Sequence, residues 1–316
     1  MFTFGNMAKN LSPRAASIVG LLSLSLLWAV GMLRADLLPG LIANPLPYLQ
    51  KQAISFALLT ILAGLAAALH RKRWLSGRLL WDSVVVGLGL FAVPLALITL
   101  ANGWVPGLAQ AALFTLTPVF ALVFEPYIST RTTTQSRGGL IAALVSIAGA
   151  LCVFPVSIPA SIEAAGGLCA VILATVCVAA ANCKAAAMAK EPSGYSTTTH
   201  AAIAGATATI ALAAASAAME RPVWKWDALG SELLWSTLIE VPGLFLLFWL
   251  LRRLSAARMT TRYVLAPLLA ILTGAGLMQA ALVPRTWLGL LLMAAGAAYL
   301  LITPEAESKF EGLSLR

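Results

Sequence analysis

The sequence predicts an all-α polytopic membrane protein with about ten transmembrane helices arranged as two inverted five-helix repeats. Of its 316 residues, 60% are hydrophobic and only 10% are charged, whereas a soluble domain carries roughly 25% charged residues. The mean hydropathy is +0.90. The apolar residues fall into runs close to the roughly 20 residues that a helix needs to cross a bilayer, and the basic residues bunch between them. This composition excludes a water-soluble globular protein.

Ten apolar segments account for the predicted spans. In chain order they are 15–33, 53–69, 83–101, 107–124, 138–156, 164–188, 197–219, 233–251, 259–282 and 287–302. The first follows Lys9 and Arg14 without a convincing cleavage site, so we expect a retained span rather than a signal peptide. Only five residues, 102–106, separate the third span from the fourth, and such a short connector predicts a tight helical hairpin.

The distribution of Lys and Arg predicts the orientation. With ten alternating spans and a cytoplasmic N-terminus, fifteen basic residues fall in inner segments and five in outer ones, as expected because positive loops are retained in the cytoplasm. Both tails, 1–14 and 304–316, are therefore predicted to be cytoplasmic. The expected location is the cell membrane, of the bacterial inner-membrane type. The lipid bilayer, rather than nucleic acid, is the partner that this basic pattern favours, and the chain is expected to be a monomer or homodimer.

A weak internal repeat divides the chain into halves 15–158 and 159–303. Residues 116–122 (Leu-Thr-Pro-Val-Phe-Ala-Leu) correspond to residues 265–271 (Leu-Ala-Pro-Leu-Leu-Ala-Ile). Because each half holds an odd number of spans, the second must insert upside down relative to the first. Pro118, Pro267 and Pro242 are candidate helix breaks, since proline inside a span frees a carbonyl that protein or a wet cavity must satisfy. Simple packed kinks are the alternative.

With these features the chain resembles the drug/metabolite transporter superfamily, specifically its EamA type. The resemblance rests on residues 26–31 (Leu-Leu-Trp-Ala-Val-Gly), on the Leu-x-Pro-x-x-Ala elements at Pro118 and Pro267, and on the closing helix from Gly289 to Gly296. It implies alternating access, with helices one to four and six to nine around a central cavity and helices five and ten at the periphery. The chain departs from the family at the glutamates that commonly end helices four and nine. Glu125 lies seven residues after Pro118, and Gln279 lies twelve after Pro267.

Glu240 is the sharpest candidate for the mechanism, because it lies in the middle of an apolar run and a charge at that depth needs protein, water or a partner. We expect it to face the cavity as a protonatable coupling site or a cation-binding group. A protonated structural role is the alternative.

The remaining candidates are polar or aromatic groups within spans. Lys184, beside Asn182, is expected either to reach the headgroups or to pair with Glu125. His200 is eligible for proton coupling, although a structural role would also explain it. Gln110 offers hydrogen bonds, and Trp28, Trp235 and Tyr263 could form flat walls for an organic solute.

These features favour transport over catalysis. The sequence shows no phosphate-binding glycine loop, nucleophile elbow or metal-ligand cluster, so we predict no enzyme activity, no cofactor and no metal. The leading hypothesis is a secondary transporter that exports a small polar metabolite or amino acid. Drug efflux, uptake of a small organic solute, and a non-transporting membrane assembly protein are the alternatives.

Overall fold

The computed structural model describes residues 12–37, 46–128, 137–154, 159, 161–191, 196–279 and 281–303. The predicted C-terminal tail, 304–316, and most of the predicted N-terminal tail lie outside these ranges.

Ten helices, numbered here in chain order, make up the described structure. They are α1 Pro13–Leu37, α2 Tyr48–Leu69, α3 Gly77–Ala101, α4 Gly107–Ile128, α5 Arg137–Val153, α6 Ile162–Ala189, α7 Thr197–Met219, α8 Trp226–Leu251, α9 Ala256–Met278 and α10 Pro284–Ile302. Within the described ranges, nine are long and apolar enough to cross a membrane, and α5 is a shorter apolar helix of 17 residues. The chain is therefore a multi-pass helical membrane protein, as its composition predicts.

Several helices begin earlier than the apolar runs that predicted them. Helices α2, α3 and α8 start at Tyr48, Gly77 and Trp226, five to seven residues before the predicted boundaries. Their first turns contain aromatic and polar residues, which are favoured at membrane interfaces and which interrupt an apolar run without ending a helix.

Helices α3 and α8 share an unusual internal feature. Each contains a five-residue π-helical segment, Leu88–Ala92 in α3 and Ser236–Glu240 in α8. Each segment is followed by a valine and a proline. Because proline cannot donate the usual backbone hydrogen bond, a widened turn at this point keeps the helix continuous. Pro242 therefore follows a local widening of α8 and does not break it.

Helices α4 and α9 are interrupted before the prolines that were expected to break them. The interruption in α4 falls at residues 115–116, and the one in α9 falls at Thr261. Pro118 occupies the first turn of the segment Thr117–Ile128, where a missing amide hydrogen has no consequence. Pro267 lies inside the segment Arg262–Met278, which continues through it.

The main packing contacts between helices join the first half of the chain to the second. Helix α5 packs against α10, α2 against α7, α3 and α4 against α6, and α8 and α9 against α1. The guanidinium of Arg14 donates to the carbonyl of Ile302, so the start of α1 and the end of α10 meet. We call the side of the bundle where they meet the terminal face, and the other side the opposite face.

Candidate functional site

A cavity of about 420 Å³ lies between helices of both halves, within the size range of roughly 300–1,000 Å³ typical of small-molecule sites. Its walls come from α1, α2, α3, α4, α8 and α9, with Val178 from α6. Met32 and Gly107, near the ends of α1 and α4 on the opposite face, line it and are exposed. The cavity therefore reaches the opposite face, while Tyr263 lies deeper in the bundle.

Glu240 lies in the wall of this cavity, at the end of the π-helical segment of α8. Its carboxylate accepts a hydrogen bond from the hydroxyl of Ser55 on α2. The same hydroxyl lies 2.8 Å from that of Ser236. Lys51, one turn before Ser55 on α2, also lines the cavity. The cavity thus holds an acidic and a basic side chain in otherwise largely apolar walls.

Aromatic rings form one wall. Trp28 on α1 meets Tyr263 on α9 edge to face, with ring centroids 5.6 Å apart, and the ring centroid of Phe114 on α4 also lies 5.6 Å from that of Tyr263. All three line the cavity. Gln110 lines it too, and its amide donates to Asn102 at 3.1 Å and to the carbonyl of Val105 at 2.9 Å. Gln110 therefore also holds the connector between α3 and α4.

A fully buried arginine lies behind the aromatic wall. Arg262 on α9 is 0% exposed, and its guanidinium lies 5.0 Å from the ring centre of Trp28 and 4.6 Å from that of Tyr263. It donates to the Asn182 side-chain oxygen at 3.1 Å and to the carbonyl of Met259 at 3.0 Å. Asn182 thus orients a buried cation rather than lining the cavity.

Three other predicted candidates lie near the terminal face, in contacts that join helices of the two halves. Lys184 on α6 pairs with Asp82 on α3 at 2.9 Å rather than with Glu125. Glu125 on α4 accepts from the backbone amide of Ala256 in α9 at 3.3 Å. His200 on α7 lies 2.9 Å from the Ser83 hydroxyl of α3. We refer to these three contacts as the terminal-face contacts.

Trp235 takes part in a different cluster, near the opposite face. The guanidinium of Arg34 on α1 lies 4.7 Å from the Trp235 ring centre and 2.9 Å from the carboxylate of Glu232 on α8. Both charged side chains are buried. This cluster fixes α8 against α1 beside the cavity.

Of the three prolines predicted as helix breaks, one lines the cavity and two do not. Pro267 lines the cavity, and so does Pro94, which follows the π-helical segment of α3 and was not predicted. Pro118 and Pro242 do not belong to the lining residues that the structure describes.

Lys51 and Arg262 were not predicted as site residues, because each was counted only as a charge that sets the orientation. One available signal was the paired Val-Pro sequence at residues 93–94 and 241–242. These pairs mark α3 and α8, the two helices that carry π-helical segments, and Glu240 directly precedes the second pair.

Comparisons with known proteins place the fold but give no function. No family model matches the chain, and no curated protein matches it. Among solved structures, one described only as "Crystal structure of protein" superposes with a TM-score of 0.71, covering 92% of this chain and 99% of its own, at 21% sequence identity. At this identity the likeness shows a shared fold alone.

Proposed function

We propose that this chain is a secondary transporter that moves a small polar metabolite or an amino acid across the membrane by alternating access. The observation that carries the proposal is the cavity between the two halves, which reaches the opposite face and holds Glu240 and Lys51. Ionisable groups at membrane depth are costly and characteristically mark substrate and ion pathways.

The packing pattern supports two inverted halves. When each helix of the first half is replaced by the corresponding helix of the second half, and vice versa, every main packing pair becomes a packing pair that is also present. For example, the contact of α3 with α6 becomes that of α8 with α1. The π-helical segments followed by Val-Pro occur in the third helix of each half. Inverted halves of this kind supply two alternative arrangements of similar energy around one central site.

The closed and open ends of the bundle support alternating access. At the terminal face, the three contacts Lys184–Asp82, Glu125–Ala256 and His200–Ser83 each join a first-half helix to a second-half helix. At the opposite face, the cavity opens between the halves, which stay joined beside it by the Arg34–Glu232 pair and by the Glu220 carboxylate that accepts from the Leu49 amide. Each terminal-face contact contributes on the order of 1 kcal/mol, a size that solute binding can offset when the solute prefers the other arrangement.

In this mechanism Glu240 is the coupling or cation-binding group. Its carboxylate, with Ser55 as a hydrogen-bond donor, can bind the positive part of a solute or exchange a proton with the water that fills an open cavity. Removing its charge should therefore affect either solute affinity or the response to a pH gradient.

The test begins by finding the solute. Differential metabolomics of cells lacking and overproducing the chain supplies candidates, and flux of each is then measured in proteoliposomes with and without a pH gradient. Glu240→Gln should lower transport by about tenfold or more, because charge-assisted hydrogen bonds contribute about 1.5–3 kcal/mol. Glu163→Gln is the matched control, since Glu163 is exposed at the start of α6 and should leave transport unchanged.

Two results would count against the proposal. Unchanged flux and unchanged pH dependence in Glu240→Gln would remove Glu240 from the mechanism. Absence of flux of every candidate under every gradient, together with a tightly co-purifying protein, would favour a membrane assembly protein instead.

A further inference from the structure

We infer that Arg262 is the recognition site for a carboxylate group of the transported solute, and that the Tyr263 hydroxyl occupies this site until the solute binds. The inference rests on the proposed transport function and specifies its substrate class.

The first observation is the missing counter-charge. Arg262 is fully buried, yet its hydrogen-bond acceptors are all neutral: the Asn182 side-chain oxygen, the Met259 carbonyl and the Tyr263 hydroxyl. None of the described carboxylates lies within ion-pair distance of it. Taking an ion out of water costs several kcal/mol that a paired anion would normally offset. A permanent structural arginine would be expected to have such a partner.

The second observation is which edge of the guanidinium has a donor without an acceptor among the described residues. Nη1 makes two hydrogen bonds, to Asn182 and Met259. Nη2 donates only to the Tyr263 hydroxyl at 3.1 Å, and the buried Nε has no acceptor among the described residues. Nε and Nη2 point the same way and form the side-on fork that matches the two oxygens of a carboxylate. The edge built for an anion therefore holds one neutral oxygen.

The third observation connects this edge to the cavity. Tyr263 and Trp28 line the cavity and also pack against the Arg262 guanidinium. A shift of the Tyr263 hydroxyl away from Nη2 would let a carboxylate in the cavity take its place.

The charges of Arg262, behind the cavity wall, and of Glu240, which faces the cavity together with Lys51, then define the solute. Arg262 would bind the carboxylate of the solute, and Glu240 on α8 would bind a positively charged group of the same solute. A solute that carries both groups, such as an α-amino acid, satisfies each charge, whereas an amine without a carboxylate leaves Arg262 unmatched. The structure therefore favours zwitterionic solutes over organic cations.

The test compares acids with their neutral counterparts. Wild-type protein in proteoliposomes is given a pool of the twenty amino acids, and uptake is read by mass spectrometry. For each amino acid that is transported, KM is measured for the amino acid, for its methyl ester and for its decarboxylated amine. We expect KM to rise by about 10- to 100-fold when the carboxylate is removed, as expected for loss of a charge-assisted bidentate contact.

Substitutions at the site sharpen the comparison. Arg262→Met should raise KM for the amino acid by about 10- to 100-fold and make acid and ester equivalent. Arg262→Lys, which keeps the charge but not the fork, should fall between. Tyr263→Phe should lower KM for the acid, because it removes the competing hydroxyl. Arg285→Gln is the control, because Arg285 is exposed at the start of α10.

Equal KM values for acid and ester in the wild type, or an unchanged acid-to-ester ratio in Arg262→Met, would overturn the inference. If Arg262→Met fails to assemble, the wild-type ratio and Tyr263→Phe still decide it. Transport of other polar metabolites but of no amino acid would also overturn it and would leave the proposed function standing. Absence of all flux would overturn both.

Discussion

The salt bridge between Lys184 and Asp82 should hold the terminal face closed, and breaking it should open that face. The pair links α6 to α3 at 2.9 Å, and Asp82 also lies 3.7 Å from Arg78 on its own helix. Asp82→Asn removes both interactions of the aspartate, whereas Lys184→Gln leaves Asp82 beside Arg78. We therefore expect Asp82→Asn to have the larger effect.

The exposure of the pair sets the size of the effect. The side chains are 28% and 14% exposed, so the interaction is partly screened and belongs near the upper end of surface pairs, at about 1 kcal/mol. When the open state is the minor one, a loss of about 1 kcal/mol raises its population by about fivefold. The effect should shrink as salt concentration rises.

A native thiol reports the opening. Cys183, next to Lys184, is buried, and its sulfur lies 3.5 Å from the Ala121 carbonyl of α4. Separation of α4 from α6 would expose it. In a variant whose other three cysteines are replaced by alanine, the rate of maleimide labelling at Cys183 should rise about threefold to fivefold with Asp82→Asn.

The control substitution is Asp227→Asn, because Asp227 is exposed near the opposite face at the start of α8. It should leave labelling of Cys183 unchanged. If neither Asp82→Asn nor Lys184→Gln accelerates labelling while both variants remain folded, the Lys184–Asp82 salt bridge does not hold that face closed. An equal acceleration by the control would refute the reasoning in the same way.

Two predictions concern stability. A Cβ at Gly149 in α5 would lie 2.6 Å from a backbone oxygen of α10, so Gly149→Ala should destabilise the fold by about 1–2 kcal/mol, even after its gain in helix propensity. Gly166→Ala is the control, because Gly166 has open space around it and its substitution should not destabilise the fold. Equal unfolding midpoints of the two variants in SDS titrations would contradict the prediction. Arg34→Gln leaves Glu232 buried without its cation and should lower the free energy of unfolding by about 3–5 kcal/mol. The double variant with Glu232→Gln should recover much of this loss. Additive losses of the two single variants in the same titration would show that the two charges do not interact.

The transmembrane class could be read from the sequence because it depends on local composition. A segment such as 197–219 contains no Asp, Glu, Lys or Arg, and in lipid such a segment has no stable alternative to a helix, since every backbone group must be satisfied within it. Helix boundaries were less accurate, because Tyr48 or Trp226 can extend a helix into the interface without extending its apolar run. The break positions in α4 and α9 were also displaced from Pro118 and Pro267.

Part of the candidate site could also be predicted from the sequence, whereas the partners of its charged residues could not. Glu240, Gln110, Trp28 and Tyr263 were predicted and do line the cavity, because a polar or broad aromatic residue inside an apolar span is unusual by itself. Lys184 and Glu125 were equally unusual, yet the structure gives Lys184 a different partner, Asp82. Asp82 lies in the second turn of α3, one residue before the predicted span 83–101, where a charge is not unusual.

The sequence by itself determined that this protein is a multi-pass helical membrane protein, where its apolar segments fall, and that a few ionisable residues, Glu240 among them, interrupt those segments. Only the tertiary structure decided which helices enclose the cavity, that Lys51 faces it, and that Arg262 is buried behind Tyr263 without an acidic partner among the described residues. The physical reason is that insertion into lipid depends on the residues of one segment, whereas cavities and ion pairs depend on contacts between segments far apart in the chain. Hydropathy is the same whichever neighbour a helix packs against.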